Sequence, residues 1–158
     1  MSRQVQISVI GGSEGSDELL RDAETVGRGI AEAGAVLVCG GRTGVMEAAS
    51  RGAADAGGTV IGVLPTLSRD DANPYVTHAI PTGTGHARNL AVVASGQAVI
   101  AIGGEWGTLS EIAFARRLDR PVVAIKSWLL QNRARSDLGI VEAESAEEAV
   151  RAALSAAG

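Results

Sequence analysis

The chain has 158 residues, of which 46% are hydrophobic, 3% aromatic and 20% charged, and its formal net charge is −4. That length suits one domain with a real core, and that apolar fraction excludes disorder. A slight acidity with dispersed arginines leaves no basic stripe for nucleic acid, one cysteine excludes a disulfide framework, and no apolar run is long enough to span a membrane.

Met1 to Val5 lacks the apolar stretch of a signal peptide and leads directly into a strand over residues 5–10. Gly11, Gly12 and Ser13 close that strand. Apolar residues at Leu19, Ala23, Val26, Ile30 and Ala33 predict a helix, with Ser16 or Asp17 as N-cap and Gly34 as stop. Residues 35–39 read as a second, buried-type strand, closed by Gly40 and Gly41. An alanine-rich helix follows over 44–56, ended by Gly57 and Gly58, and 59–64 is a third strand. Residues 65–73 break into a polar loop, a short extended piece covers 75–80, and Pro81 to Gly85 make a turn. The pattern then predicts a helix over 87–95, a strand over 97–102, a helix over 109–118 and a strand over 121–125. A weak strand near 139–141 and a helix from Ser145, with Glu148 at capping-box spacing, complete the chain. No repeat or linker interrupts it, so residues 1–158 read as a single domain.

Strand, glycine turn, helix, strand is the rhythm of a doubly wound parallel sheet with helices on both faces, an α/β fold. The strands are continuously apolar, as a sheet covered on both sides requires. Ligands of such sheets bind beyond the carboxyl ends of the strands, where the strand order reverses. Many of the 21 glycines gather at those ends, so the turns are expected to share one rim.

A Gly-Gly pair entering a helix lets backbone N–H groups approach an anion without a Cβ in the way, and the helix dipole adds about half a positive charge. Gly103, Gly104, Glu105, Trp106, Gly107 and Thr108 make the leading candidate, with Thr108 as N-cap or as a hydroxyl for a phosphate oxygen. Gly40, Gly41, Arg42, Thr43 and Gly44 make the second, with Arg42 adding a full charge. Gly11, Gly12 and Ser13 make the third. Glycine is also the simplest turn between strand and helix, yet three such turns on one rim favour an anion site. No Walker loop is present, and the lack of Gly-x-Gly-x-x-Gly after the first strand speaks against a dinucleotide cofactor.

Arg88, at the start of a helix, can neutralise a phosphate. Glu111, one turn from that phosphate end, can bond sugar hydroxyls or stabilise an oxocarbenium-like transition state. Taken singly, Arg88 reads equally as a solvated arginine, and Glu111 as a first-turn acid favoured by the dipole. His86 shares the glycine-rich loop and either touches ligand or is a plain loop residue. His78 belongs to a strand or loop, and Cys39 is a small buried residue ending a strand. These two histidines and one cysteine have no metal-ligand spacing.

The run from Gly103 to Glu111 resembles the PGGxGTxxE signature of the LOG family, the cytokinin-activating phosphoribohydrolases often labelled lysine decarboxylases. Gly40 to Met46 is similar to that family's GGGxxGLM segment, and Arg88 falls where its catalytic arginine is expected. The short length and the Ile-Gly-Gly form resemble more closely a sister group that includes the molybdenum cofactor carrier proteins. The resemblance runs from Val5 to about Ile125. It implies a Rossmann-like fold, a homo-oligomer (dimer or tetramer), and Arg88 and Glu111 as the catalytic pair of any reaction. Ile102 replaces the signature proline, and Gly85 and Asn89 stand where the family has methionine and lysine.

Two functions are therefore expected of one rim. In the first, a cytoplasmic protein needing no cofactor of its own binds a small phosphorylated ligand, either a nucleoside monophosphate or an anionic pterin such as the molybdenum cofactor. In the second, Arg88 and Glu111 hydrolyse the N-glycosidic bond of a nucleoside 5′-monophosphate. A lysine decarboxylase is disfavoured, because pyridoxal chemistry needs a Schiff-base lysine and Lys126, the only lysine, follows a different strand from the signature. Neither nucleic acid nor membrane is expected as a partner. Alanine-rich faces at 46–56 and 112–115 suit packing on the sheet or on another subunit.

Overall fold

The computed structural model describes residues 3–158; Met1 and Ser2, part of the stretch read as lacking a signal peptide, lie outside the described residues. The strands are β1 (Gln6–Gly11), β2 (Val36–Cys39), β3 (Val60–Leu64), β4 (His78–Pro81), β5 (Ala98–Ile102), β6 (Val122–Ile125) and β7 (Ile140–Glu142). They form one sheet in the order β4-β3-β2-β1-β5-β6-β7, and every neighbouring pair is parallel. β2, β5 and β6 are buried at every position, which is why their sequences run apolar without alternation.

The helices are α1 (Asp17–Glu32), α2 (Val45–Asp55), α3 (Arg88–Ser95), α4 (Trp106–Arg117) and α5 (Ala146–Ala157). One face of the sheet is covered by α1, α2 and α5, whose Ala23, Val26, Ala49 and Ala149 pack on Ile7, Leu37 and Ile100. The other is covered by α3 and α4, through Val92, Val93, Ile112 and Ala115 on Ile10, Val38 and Val99. The α/β class, the doubly wound parallel sheet and the helices on both faces are thus as expected from the sequence.

Local signals held at most boundaries. Ser16 caps α1 by accepting from the Leu19 N–H, and Gly34 (φ +74°) follows its end. One boundary differs. α4 begins at Trp106 rather than at Leu109, so Thr108 lies inside its first turn and is not its N-cap; the extended Glu105 holds that place. Glycine and threonine are weak helix formers, so the first turn carries little helical signal.

The small residues of α2 have an intramolecular use. α1 and α2 approach so closely that a Cβ on Gly27 would run into the Ala49 carbonyl. Ala48, Ala49, Ser50 and Ala53 are all buried against that contact or the sheet. Gly27→Val is expected to destabilise the fold by about 1–3 kcal/mol or more through overpacking, read as a lowered urea midpoint.

Candidate functional site

The chain leaves β1 for α1 on one face of the sheet and leaves β5 for α4 on the other, although β1 and β5 are neighbours. No helix can cover the gap between their carboxyl ends, and that gap is the crevice expected of such sheets. A cavity of about 200 Å³ opens there. Its walls are the end of β1 (Val9 to Ser13), Gly40 after β2, and Met46. His86, Arg88 and Asn89 from the start of α3 and Glu105, Gly107, Thr108 and Glu111 from the start of α4 complete them.

The glycine turns are laced to one another. Thr43 Oγ1 donates to the Ser13 carbonyl at 3.0 Å, and the Val45 N–H donates to the Gly12 carbonyl at 3.1 Å. Ser127 Oγ donates to the Gly103 carbonyl at 2.6 Å. Gly104 holds φ at +119°, where a side chain is strained. Gly40 is glycine because of its neighbour: a Cβ there would lie 2.6 Å from Arg88 Nη2.

Arg88 is half-buried and fixed from three sides. Nε donates to the Val63 carbonyl at 2.9 Å, Nη2 to the Gly40 carbonyl at 3.3 Å, and Nη1 to Asn89 Oδ1. Among the described residues no carboxylate stands within ion-pair distance of it. Burial pulls its pKa below the ordinary arginine value while Glu111 nearby pushes it back up, and a guanidinium stays charged at neutral pH. Among the described residues it is the one lysine or arginine on the cavity wall.

Glu111 is 6% exposed on the second turn of α4. Burial pushes its carboxyl up to about 8, opposed only in part by the Arg88 charge. At neutral pH it is therefore a protonated acid, able to donate a hydrogen bond as well as to accept one. It is not the solvated first-turn acid that its sequence position allowed.

Buried polar residues fall into two groups. Ser8 donates to the Val92 carbonyl, Ser50 to the Met46 carbonyl, and Asn73 bonds Arg42, Ser50 and Tyr75. The others, Asn89, Thr108 and Glu111, all line the cavity, and each has side-chain hydrogen-bonding capacity that no described residue uses. Among the described residues the buried side-chain atoms left without a partner are Thr66 Oγ1 and Arg120 Nε, neither on this wall, so the unused polar atoms of Asn89, Thr108 and Glu111 are open to the cavity, where water or a ligand can meet them. The first turn of α4 has no side-chain cap, like those of α2 and α3, whereas Ser16 and Ser145 cap α1 and α5.

Of the residues singled out in the sequence, Gly11, Gly12, Ser13, Gly40, Arg88, Glu105, Gly107, Thr108 and Glu111 meet at the cavity. Gly41, Thr43, Gly44, Gly103 and Gly104 shape the turns behind that wall. Arg42 is turned away, its Nη1 donating to the Asp71 carbonyl at 3.0 Å. Trp106, 76% exposed, packs on Trp128 with ring centroids 5.1 Å apart and does not line the cavity. His86 lines it, His78 lies exposed on β4, and Cys39 is buried with its thiol pushed up by desolvation. Asn89 and Met46 are lining residues that the motif reading did not select; a lone polar residue heading an apolar helix was the available signal.

Lys126 lies outside the cavity wall. Its Nζ sits 2.7 Å from both Asp22 and Glu18, and those hydrogen bonds push its amine up, the opposite of what a Schiff-base lysine needs. Among the described residues no group of three or more His, Cys, Asp or Glu could hold a metal ion, and no helix is long and apolar enough to cross a membrane.

Comparison with known proteins agrees with this geometry. The model of the SLOG cluster4 family matches residues 4–150. The molybdenum cofactor binding protein of Rippkaea orientalis superposes with a TM-score of 0.90 at 37% identity, over 98% of each chain. An uncharacterised protein of Archaeoglobus fulgidus is 45% identical over 122 residues, 77% of this chain and 80% of its own. The cytokinin riboside 5′-monophosphate phosphoribohydrolase of Rhodococcoides fascians is 38% identical over 93 residues, 56% of this chain and 47% of the enzyme.

Glu111 makes stability depend on pH. Between its ordinary value of 4.5 and about 8 the unfolded chain has released this proton while the folded chain still holds it. Rising pH therefore removes about 1.4 kcal/mol per unit across that window and nothing further above it. Glu111→Gln abolishes this pH dependence, so the variant is expected to gain on the wild type in thermal melts from pH 5 to 8.

Proposed function

The chain belongs to the SLOG cluster4 family, and from that premise we propose that it binds a phosphorylated nucleotide- or pterin-type ligand beyond the carboxyl ends of β1, β2 and β5. The observation that carries this reading is the group of polar side chains, unused by the fold and open to the cavity, beside Arg88, a cation with no carboxylate partner among the described residues. Arg88 takes a phosphoryl oxygen, the N–H groups opening α4 take another, and protonated Glu111 donates to a third acceptor. The Gly11 to Ser13 and Gly40 to Gly44 turns hold that cradle in shape. An anionic pterin such as the molybdenum cofactor is carried as cargo, with no resident cofactor needed. The similarity to the Rippkaea protein supports this cargo.

A second reading is hydrolysis of the N-glycosidic bond of a nucleoside 5′-monophosphate. The meeting of Arg88 and Glu111 in one cavity supports it, as does the partial similarity to the Rhodococcoides enzyme. Arg88 holds the phosphate, the proton on Glu111 goes to the leaving base as water attacks the anomeric carbon, and the proton that this water sheds passes to solvent, from which Glu111 is reprotonated.

The protein works as a cytoplasmic homo-oligomer, a dimer or tetramer, in this proposal. With the alanines of α2 used inside the chain, the surface for association is the outer face of α3 and α4, where Leu90, Phe114 and Leu118 are exposed.

Calorimetry is expected to show wild-type binding of adenosine 5′-monophosphate and inorganic phosphate, weakened about tenfold or more in Arg88→Ala. No heat from either probe refutes the anion reading. Chromatography of the same mixtures separates the two functions. Free base that disappears with Glu111→Ala overturns the pure carrier, whereas no base together with a copurified pterin or nucleotide overturns the hydrolase. Phe114→Glu is expected to yield monomers in sedimentation, and a wild type already monomeric removes the oligomer.

A further inference from the structure

Two asparagines are buried, and the fold treats them differently. Asn73 Nδ2 donates to the Arg42 carbonyl at 2.9 Å, and its Oδ1 accepts from the Tyr75 N–H at 3.1 Å, so both ends of the amide are used. Asn89, 6% exposed, uses one end only: Oδ1 accepts from Arg88 Nη1. A guanidinium only donates, so the side of the amide facing it must be the oxygen. That fixes the flip and leaves the two N–H donors of Nδ2 on a residue that lines the cavity, with no acceptor among the described residues.

We infer that Asn89 is a ligand-binding residue of this cavity and at once the residue that positions Arg88, its Oδ1 holding the guanidinium and its Nδ2 donating to a phosphoryl oxygen of the ligand. The inference rests on the anionic-ligand reading above. A donor of this kind suits the same ligand that Arg88 attracts, because an oxyanion has only acceptors to offer. It also explains why a weak helix former occupies the second position of α3, where the rest of the helix is mostly apolar.

The test is calorimetry with adenosine 5′-monophosphate on the wild type, Arg88→Ala, Asn89→Leu and Asn89→Asp. Asn89→Leu is expected to weaken binding about tenfold, with Asn89→Ser in its place should the leucine fail to fold. Asn89→Asp still offers Arg88 an acceptor but turns a second oxyanion toward the ligand, so it is expected to bind still more weakly at pH 8. Asn89→Asp keeps the shape of the native side chain better than Asn89→Leu does, so a deficit larger than that of Asn89→Leu reads the repulsion between its carboxylate and the anion rather than a packing fault. Position-89 variants within twofold of wild type, beside a defective Arg88→Ala, overturn the assignment and leave the anion reading standing. An Asn89→Asp that binds as well as or better than Asn89→Leu also overturns it, as the mark of a merely structural role. A wild type that takes up neither this nucleotide nor inorganic phosphate removes the anion reading and this assignment together.

Discussion

A parallel sheet whose chain departs from adjacent strands to opposite faces cannot close over its own middle. Here those strands are β1 and β5, and everything at the site follows from the gap between them. Backbone from three loops must converge in that gap, which only residues without Cβ allow, and Gly40 shows the constraint from the other side. The guanidinium of Arg88 occupies the space that a side chain there would take, anchored by the carbonyls of Val63 and Gly40. The glycine and the arginine are thus one steric solution rather than two motifs.

The electrostatics depend on the same gap. Arg88 cannot lose its charge, and Glu111 is too buried to keep its own, so of these two only the guanidinium is charged at neutral pH. Had the two formed a close ion pair, each would have cancelled the other and left nothing for a ligand. Their separation beyond ion-pair distance keeps one cation and one acidic proton available. An acidic proton can serve either as a fixed hydrogen bond or as a transferable one, and this is why carrier and hydrolase draw on the same residues.

The sheet, its faces and its rim were legible in the sequence because continuous apolar strands and terminal glycines have few physical interpretations. β5 and its Gly103-Gly104 turn, or α1 with Ser16 and Gly34, state their conformation locally. The motifs also placed Arg88 and Glu111 at one site. What sequence could not state was direction. Arg42 swings to Asp71 and Trp106 to Trp128, choices set by loops distant in the chain. Nor could it tell Asn89 from Asn73, since satisfied and unsatisfied amides differ only in their tertiary surroundings. The start of α4 was hidden because its first turn is made of residues that do not announce a helix.

That first turn has a consequence for the unliganded molecule. α1 and α5 each finish their amino ends with a serine from their own sequence, but α2, α3 and α4 do not. An oxyanion lodged there would do what a capping side chain does elsewhere, and would add its binding energy to the folding equilibrium. Part of the chain's cohesion would then be lent by that second molecule, and only for as long as it stayed.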